Sequence, residues 1–167
     1  MLEPLKEHLT FLDYGSGGGH FYNAMVQAGY NIQCYDPFDV KGGEKPQGHF
    51  DVITAFEVFE HLVHPKETVA SLVDALNPGG MVLFTTTLNR QKTPQEMMNW
   101  WYLAPRNGHC SLYTAESLVY LWDSVGFKCL NQSQTTHFAF NPQQPSSFIQ
   151  VQQGSQGEPR LRFAPLR

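Results

Sequence analysis

The residues best suited to chemistry crowd one short stretch, Asp13-Tyr14-Gly15-Ser16-Gly17-Gly18-Gly19. A glycine-rich turn between a strand and a helix brings backbone N–H groups and the positive helix end up to a ligand, where side chains would block close approach. It reads as a nucleotide-type site. The dinucleotide pattern Gly-x-Gly-x-x-Gly would need glycine at position 20, where His20 stands, so nicotinamide chemistry is disfavoured. The spacing that does fit is Asp-x-Gly-x-Gly-x-Gly, carried by Asp13, Gly15, Gly17 and Gly19. His20, His49 and His64 lack the cysteine or carboxylate company of a metal site, and no metal is expected.

Such a loop needs a strand before it and a helix after it. Residues 9–13 are a short apolar run, and after the loop Phe21, Ala24, Met25 and Ala28 share one helical face that stops at Gly29. Residues 31–35 alternate as a second strand and end at Asp36-Pro37, which completes a βαβ unit. Residues 38–49 have little periodicity and read as a surface connection. Residues 51–56 form the next strand, and Pro65 opens a helix with the stripe Val69, Leu72, Val73 and Leu76. Asn77-Pro78-Gly79-Gly80 ends it and leads into a buried strand at 81–87.

Thr93-Pro94-Gln95-Glu96 is a capping box for a short helix carrying Met97, Met98 and Trp101. A longer helix follows Thr114, with Leu118, Val119, Trp122 and Val125 as its apolar face and Gly126 as its stop. A strand begins at Phe127. Beyond it only residues 147–152 alternate convincingly, as a final antiparallel strand. The expected fold class is α/β: a Rossmann-like, doubly wound, mostly parallel sheet with a final antiparallel strand and its third strand reduced or absent. One domain over 1–153 is expected, with 154–167 as a flexible tail.

Composition agrees with one folded unit, since 41% of the residues are hydrophobic and only 16% charged. A net charge of −4 gives no basic field for nucleic acid. Cys34, Cys110 and Cys129 are odd in number and widely spaced, and read as core thiols. Neither a signal-peptide pattern nor an apolar run near the roughly 20 residues of a membrane span is found, so a cytoplasmic protein without membrane partners is expected. A homodimer is left open.

The spacing of Asp13, Gly15, Gly17 and Gly19 resembles the first motif of the class I S-adenosylmethionine-dependent methyltransferases. Three further stretches follow in the family's order. Asp36 resembles the acidic residue that ends strand two; the segment from Phe50 through Phe56, Glu57, Glu60 and His61 is similar to the fourth-strand segment; Asn77-Pro78-Gly79-Gly80 is similar to the turn into the fifth strand. The likeness spans residues 9–130 and comes nearest to ubiquinone-biosynthesis O-methyltransferases.

That resemblance implies S-adenosylmethionine as cofactor and a small-molecule methyl acceptor. Asp13, Gly15, Ser16, Gly17 and Gly19 would wrap the methionine part; Asp36, with Pro37 after it, would accept the ribose hydroxyls; Phe56 and Glu57 would floor the adenosine side. Methyl transfer from a sulfonium is an in-line displacement that a dry, aligning site favours. A hydroxyl acceptor must also lose a proton, and histidine suits that near neutral pH. His61, just past the fourth strand, and His109 are the catalytic candidates, with His109 preferred because residues 108–114 resemble the family's Gly-His stretch. Only a short stretch precedes residue 9 to roof the pocket. The reading that competes is a catalytically inactive methyltransferase-like binding or regulatory module.

Overall fold

A computed structural model describes residues 6, 8–39, 45–91, 93–144, 146–153 and 159–163. Eight strands and four α-helices are found there: β1 Thr10–Tyr14, α1 His20–Gln27, β2 Asn31–Tyr35, β3 Phe50–Phe56, α2 Pro65–Asp74, β4 Leu76–Thr85, α3 Pro94–Met98, α4 Ala115–Asp123, β5 Lys128–Asn131, β6 Thr136–Phe140, β7 Ile149–Gln153 and β8 Pro159–Phe163. The first six-stranded sheet runs β2-β1-β3-β4-β6-β5, and β7 and β8 form a separate pair. β1 pairs in parallel with β2 and β3, and β3 with β4; β6 alone runs antiparallel, between β4 and β5. Among the described residues no strand lies outside β2, as expected of a reduced third strand; residues 40–44 fall outside the described set.

Apolar residues on alternate sides of the strands create two cores. On one face Ile53, Phe84 and Phe59 pack under Val69 and Leu72 of α2 and Leu118, Leu121 and Trp122 of α4. Phe59 stacks on Phe84 at 4.2 Å. On the other face Phe11, Val52 and Met81 meet Phe21 and Met25 of α1 together with Phe148, Ile149 and Leu161 from the C-terminal strands. α1 itself has no fully buried residue, and Ala24 and Ala28 of its expected apolar face are exposed. The hairpin therefore finishes the cover that α1 begins.

Several expectations need correction. The antiparallel strand of the main sheet is β6, not residues 147–152, and β7 pairs only with β8. β6 escaped notice because one inward position is His137, fully buried beside Ala139, and this masks the period-two pattern. Residues 159–163, expected within a loose tail, form β8 because Leu161 anchors on the second core. α2 stops at Asp74, so Leu76 belongs to β4 and pairs with Phe50. Asn77-Pro78-Gly79-Gly80 then makes a bulge inside β4: the pairing slips there, Gly79 is left-handed at φ 78°, and Asn77 Nδ2 donates to Asp51 Oδ1 at 2.9 Å. α3 has its Thr93–Glu96 capping box, but it ends at Met98 and leaves Met98 and Trp101 each 76% exposed. Cys34 and Cys110 are exposed and not core thiols, whereas Cys129 is half-buried and packs against the first core, as expected.

His137 supplies a pH prediction. Its Nε2 donates to the Thr86 carbonyl at 2.9 Å, Nδ1 has no partner, and burial holds the imidazole below its ordinary 6.5. The folded chain thus disfavours the proton that the unfolded chain accepts. Its contribution to stability is complete above about pH 6.5 and is lost as pH falls below that value toward the lower folded pKa. Urea midpoints at pH 7.5 and 5.5 should differ more for the wild type than for His137→Gln; equal differences would remove His137 as the cause.

Candidate active site

The chain leaves β1 to build β2 on one side and returns to build β3 on the other, so the order switches between β1 and β3. Ligands of open α/β sheets bind at such a point, outside the carboxyl ends of the strands. The expected residues converge there: Asp13 to Gly19 follow β1, Asp36 and Pro37 follow β2, and Phe56 and Glu57 end β3. Gly15, Gly17 and Gly19 have φ of 75°, 49° and 71°, left-handed values that side chains resist. Gly15 N donates to Tyr35 O at 2.7 Å and Gly19 N to Ser16 O at 2.8 Å, which folds the loop over the end of the sheet. Gly19 is the N-cap of α1 and supplies no side-chain cap.

Asp36 aims into this crevice. Its Oδ2 accepts from Gly17 N at 2.8 Å and its Oδ1 from Phe38 N at 2.9 Å. Asp13 is 3% exposed; Thr54 donates to its Oδ1 at 3.1 Å, while Oδ2 has no partner. Desolvation holds the Asp13 carboxyl above its ordinary value, with Thr54 and the Tyr22 amide pulling weakly the other way and Asp36 adding a small push upward. Ser16 and Phe56 are half-buried, Pro37 is exposed, and Phe21 of α1 stands edge-on to Phe56 at 4.9 Å.

Beyond β3 the segment 57–62 meets the loop 102–111. The carbonyl of Glu60 accepts from Cys110 N at 2.9 Å and Ser111 N at 3.0 Å, and Ser111 Oγ donates to Leu62 O at 2.6 Å. This stitching sets the His61 and His109 rings 5.0 Å apart at 78°. His61 Nδ1 pairs with Gly108 O at 3.1 Å and His109 Nδ1 with Tyr102 O at 2.8 Å. A carbonyl only accepts, so both Nδ1 atoms carry hydrogen and each neutral ring keeps its lone pair on Nε2. Tyr102 is itself buried, with its hydroxyl accepting from Thr87 N at 3.2 Å, and burial pushes that hydroxyl up to about 12.

Two residues of this end were not anticipated as site residues. Glu60 is fully buried, and among the described residues neither of its oxygens is in hydrogen-bond geometry, although the Glu57 carboxyl and the Tyr102 hydroxyl lie close enough to act on it. With His61 and His109 it offers ligand atoms that all lie within 4.8 Å of one another, a donor set suited to a divalent cation. The available signal was a carboxylate set between Phe59 and Leu62 in an apolar run, next to a histidine. The other is Thr85, whose hydroxyl bonds to Glu57. Loss of solvation, then the Glu60 carboxylate, holds the Glu57 carboxyl above its usual range.

A doubly wound sheet with a glycine loop and an acidic residue at its switch point defines an α/β protein built to hold an adenosyl-type cofactor. The chain belongs to the methyltransferase-domain family, whose pattern matches residues 1–132. It is 31% identical over 108 residues to a ubiquinone biosynthesis O-methyltransferase of Caulobacter vibrioides, which covers 50% of this chain and 42% of that protein. An O-methyltransferase family protein from Burkholderia thailandensis superposes with a TM-score of 0.63 at 16% identity, over 85% of this chain and 52% of that one. CalO1, a methyltransferase in calicheamicin biosynthesis in its SAH-bound form, gives 0.57 at 13% identity over 80% and 49%. The chain thus spans about half the length of these three proteins. The likeness to solved structures establishes the Rossmann-like fold of class I methyltransferases, and S-adenosylmethionine is the cofactor of that class.

The residues present fit that cofactor. Its chain neighbours aside, no atom of the described residues lies within 4 Å of the position a Cβ would take on Gly17, so the loop has room for a close-lying ligand. The unpartnered Oδ2 of Asp13 suits an ammonium group. A carboxylate has about four acceptor sites. Backbone amides take two of those on Asp36, which orients it and leaves capacity for two ribose hydroxyls.

Proposed function

We propose that this chain is an S-adenosylmethionine-dependent methyltransferase that transfers a methyl group to a small-molecule acceptor, at oxygen. The observation that carries the reading is the 2.8 Å bond between Gly17 N and Asp36 Oδ2, which joins the glycine loop and the acidic residue in one crevice. When bound, S-adenosylmethionine supplies a methyl group on a sulfonium, a good leaving group. The chain's own residues hold, orient and deprotonate. Asp13, Gly15, Ser16, Gly17 and Gly19 hold the methionine part, Asp36 and Pro37 the ribose side, and Phe56 and Glu57 the adenosine floor. His109 accepts the acceptor hydroxyl's proton on Nε2, since its Nδ1 is committed to the Tyr102 carbonyl. His61 lies beside it as the second candidate.

The buried Glu60 carboxylate supports a second arrangement of the same end, in which Glu60, His61 and His109 hold a divalent cation that polarises the acceptor oxygen. Turnover assayed after chelation, with and without added Zn2+ or Mn2+, separates the two. No described helix is long and apolar enough to cross a membrane, and a cytoplasmic protein, as a monomer or homodimer without nucleic-acid partners, accords with this chemistry.

Calorimetry with S-adenosylhomocysteine tests the reading. Wild-type protein should bind, and Asp36→Asn should bind about 10- to 100-fold more weakly, as expected for losing hydrogen bonds to a charged acceptor worth about 1.5–3 kcal/mol. Absence of binding to the wild type overturns the proposal.

A further inference from the structure

Glu57 is, among the described residues, the only non-glycine with a left-handed backbone, at φ 53°. Glycine would make that turn without a steric penalty, so a glutamate there must be held by its surroundings. The hold is a single hydroxyl. Thr85 Oγ1 accepts from Glu57 N at 2.9 Å and donates to Glu57 Oε1 at 2.9 Å, gripping the main chain and the side chain of the same residue. Thr85 is itself fixed on both sides: it ends β4, opposite Phe56 of β3 and Thr136 of β6. A relaxed Glu57 with negative φ would redirect its amide and its Cβ together and break the pair of bonds.

We propose that Thr85 is a positioning residue, a latch that holds Glu57 in its left-handed turn at the adenosine floor and aims the Glu57 carboxylate from there toward Glu60 and His109. That carboxylate interacts there with Glu60 and His109. Glu60 is fully buried beside it, with neither oxygen in hydrogen-bond geometry among the described residues. The consequence for turnover rests on the methyltransferase reading; the geometry of the latch does not.

Thr85→Val keeps the shape of the side chain and removes both bonds, and Thr85→Ser keeps them. Hydrogen exchange at the Glu57 amide and the ring resonances of His109, followed by NMR in the ligand-free protein, read the latch without any acceptor. In Thr85→Val the Glu57 amide should exchange at least tenfold faster and the His109 ring signals should move; Thr85→Ser should restore both. In methyl-transfer assays with catechol at saturating S-adenosylmethionine, Thr85→Val should lower turnover at least tenfold, and Thr85→Ser should restore it. Equal protection of the Glu57 amide in Thr85→Val, or no recovery in Thr85→Ser, overturns the proposal. Should Thr85→Val fold poorly, Glu57→Gly keeps the turn and lacks the carboxylate: it must move the same His109 signals, and unmoved signals overturn the latch. A wild type that methylates no acceptor while the exchange and NMR results hold refutes the functional reading alone.

Discussion

His109→Ala should lower kcat for a phenolic acceptor about 10²- to 10⁴-fold, the usual contribution of a positioned general base. S-adenosylhomocysteine affinity should stay within about twofold, because the residues assigned to the cofactor lie at the ends of β1, β2 and β3, while His109 sits on the loop after Tyr102. The Tyr102 carbonyl fixes the hydrogen on Nδ1, and Tyr102 is in turn anchored through its hydroxyl by Thr87 N, so Nε2 is the nitrogen left to take a proton. His61→Ala should cost less, because the His61 bond to Gly108 O is longer, at 3.1 Å, than the 2.8 Å bond holding His109. Single-turnover kinetics would separate chemistry from release. If His109→Ala retains full turnover, the base is another group and the cation arrangement gains weight.

The glycine loop and Asp36 were legible because a strand, a turn and a helix that follow one another in the chain need no tertiary information to be seen together. The same holds for the capping boxes of α3 and α4, which are contained within four residues. Glu60 was different. A buried carboxylate out of hydrogen-bond geometry is a property of what surrounds it, and its surroundings come from β4, the loop after α3 and the residues before α4. Thr85 was hidden for a related reason, since a threonine at a strand end ordinarily means β-propensity, and only the left-handed φ at Glu57 shows the task it performs. Elsewhere β6 was lost behind the buried His137, and Leu76 was drawn into a helical stripe that its pairing with Phe50 contradicts. In each case a neighbour distant in sequence overrode a local pattern.

The three left-handed glycines of the loop should not be equivalent. A Cβ on Gly15 would lie 2.4 Å from Val58 Cγ2, and Val58 is 3% exposed with a branched side chain that has little room to turn. Gly15→Ala therefore combines left-handed strain of about 1–2 kcal/mol with overpacking of about 1–3 kcal/mol. A loss of roughly 2–5 kcal/mol in urea unfolding is expected from these terms. Gly17 has the same handedness, yet no atom lies within 4 Å of its Cβ position and the residue is exposed. Gly17→Ala should cost only the strain of about 1–2 kcal/mol in stability, while its methyl group would project into the space the proposal gives to the cofactor and should weaken S-adenosylhomocysteine binding by at least tenfold. The pair thus separates the glycine that packs against the protein from the glycine that faces the ligand. Val58→Ala in the Gly15→Ala background should recover part of the loss, because the close contact is removed while the strain stays. Equal destabilisation by Gly15→Ala and Gly17→Ala, with no rescue at position 58, would show that backbone strain alone dictates both glycines and that Val58 does not fix the loop against the sheet.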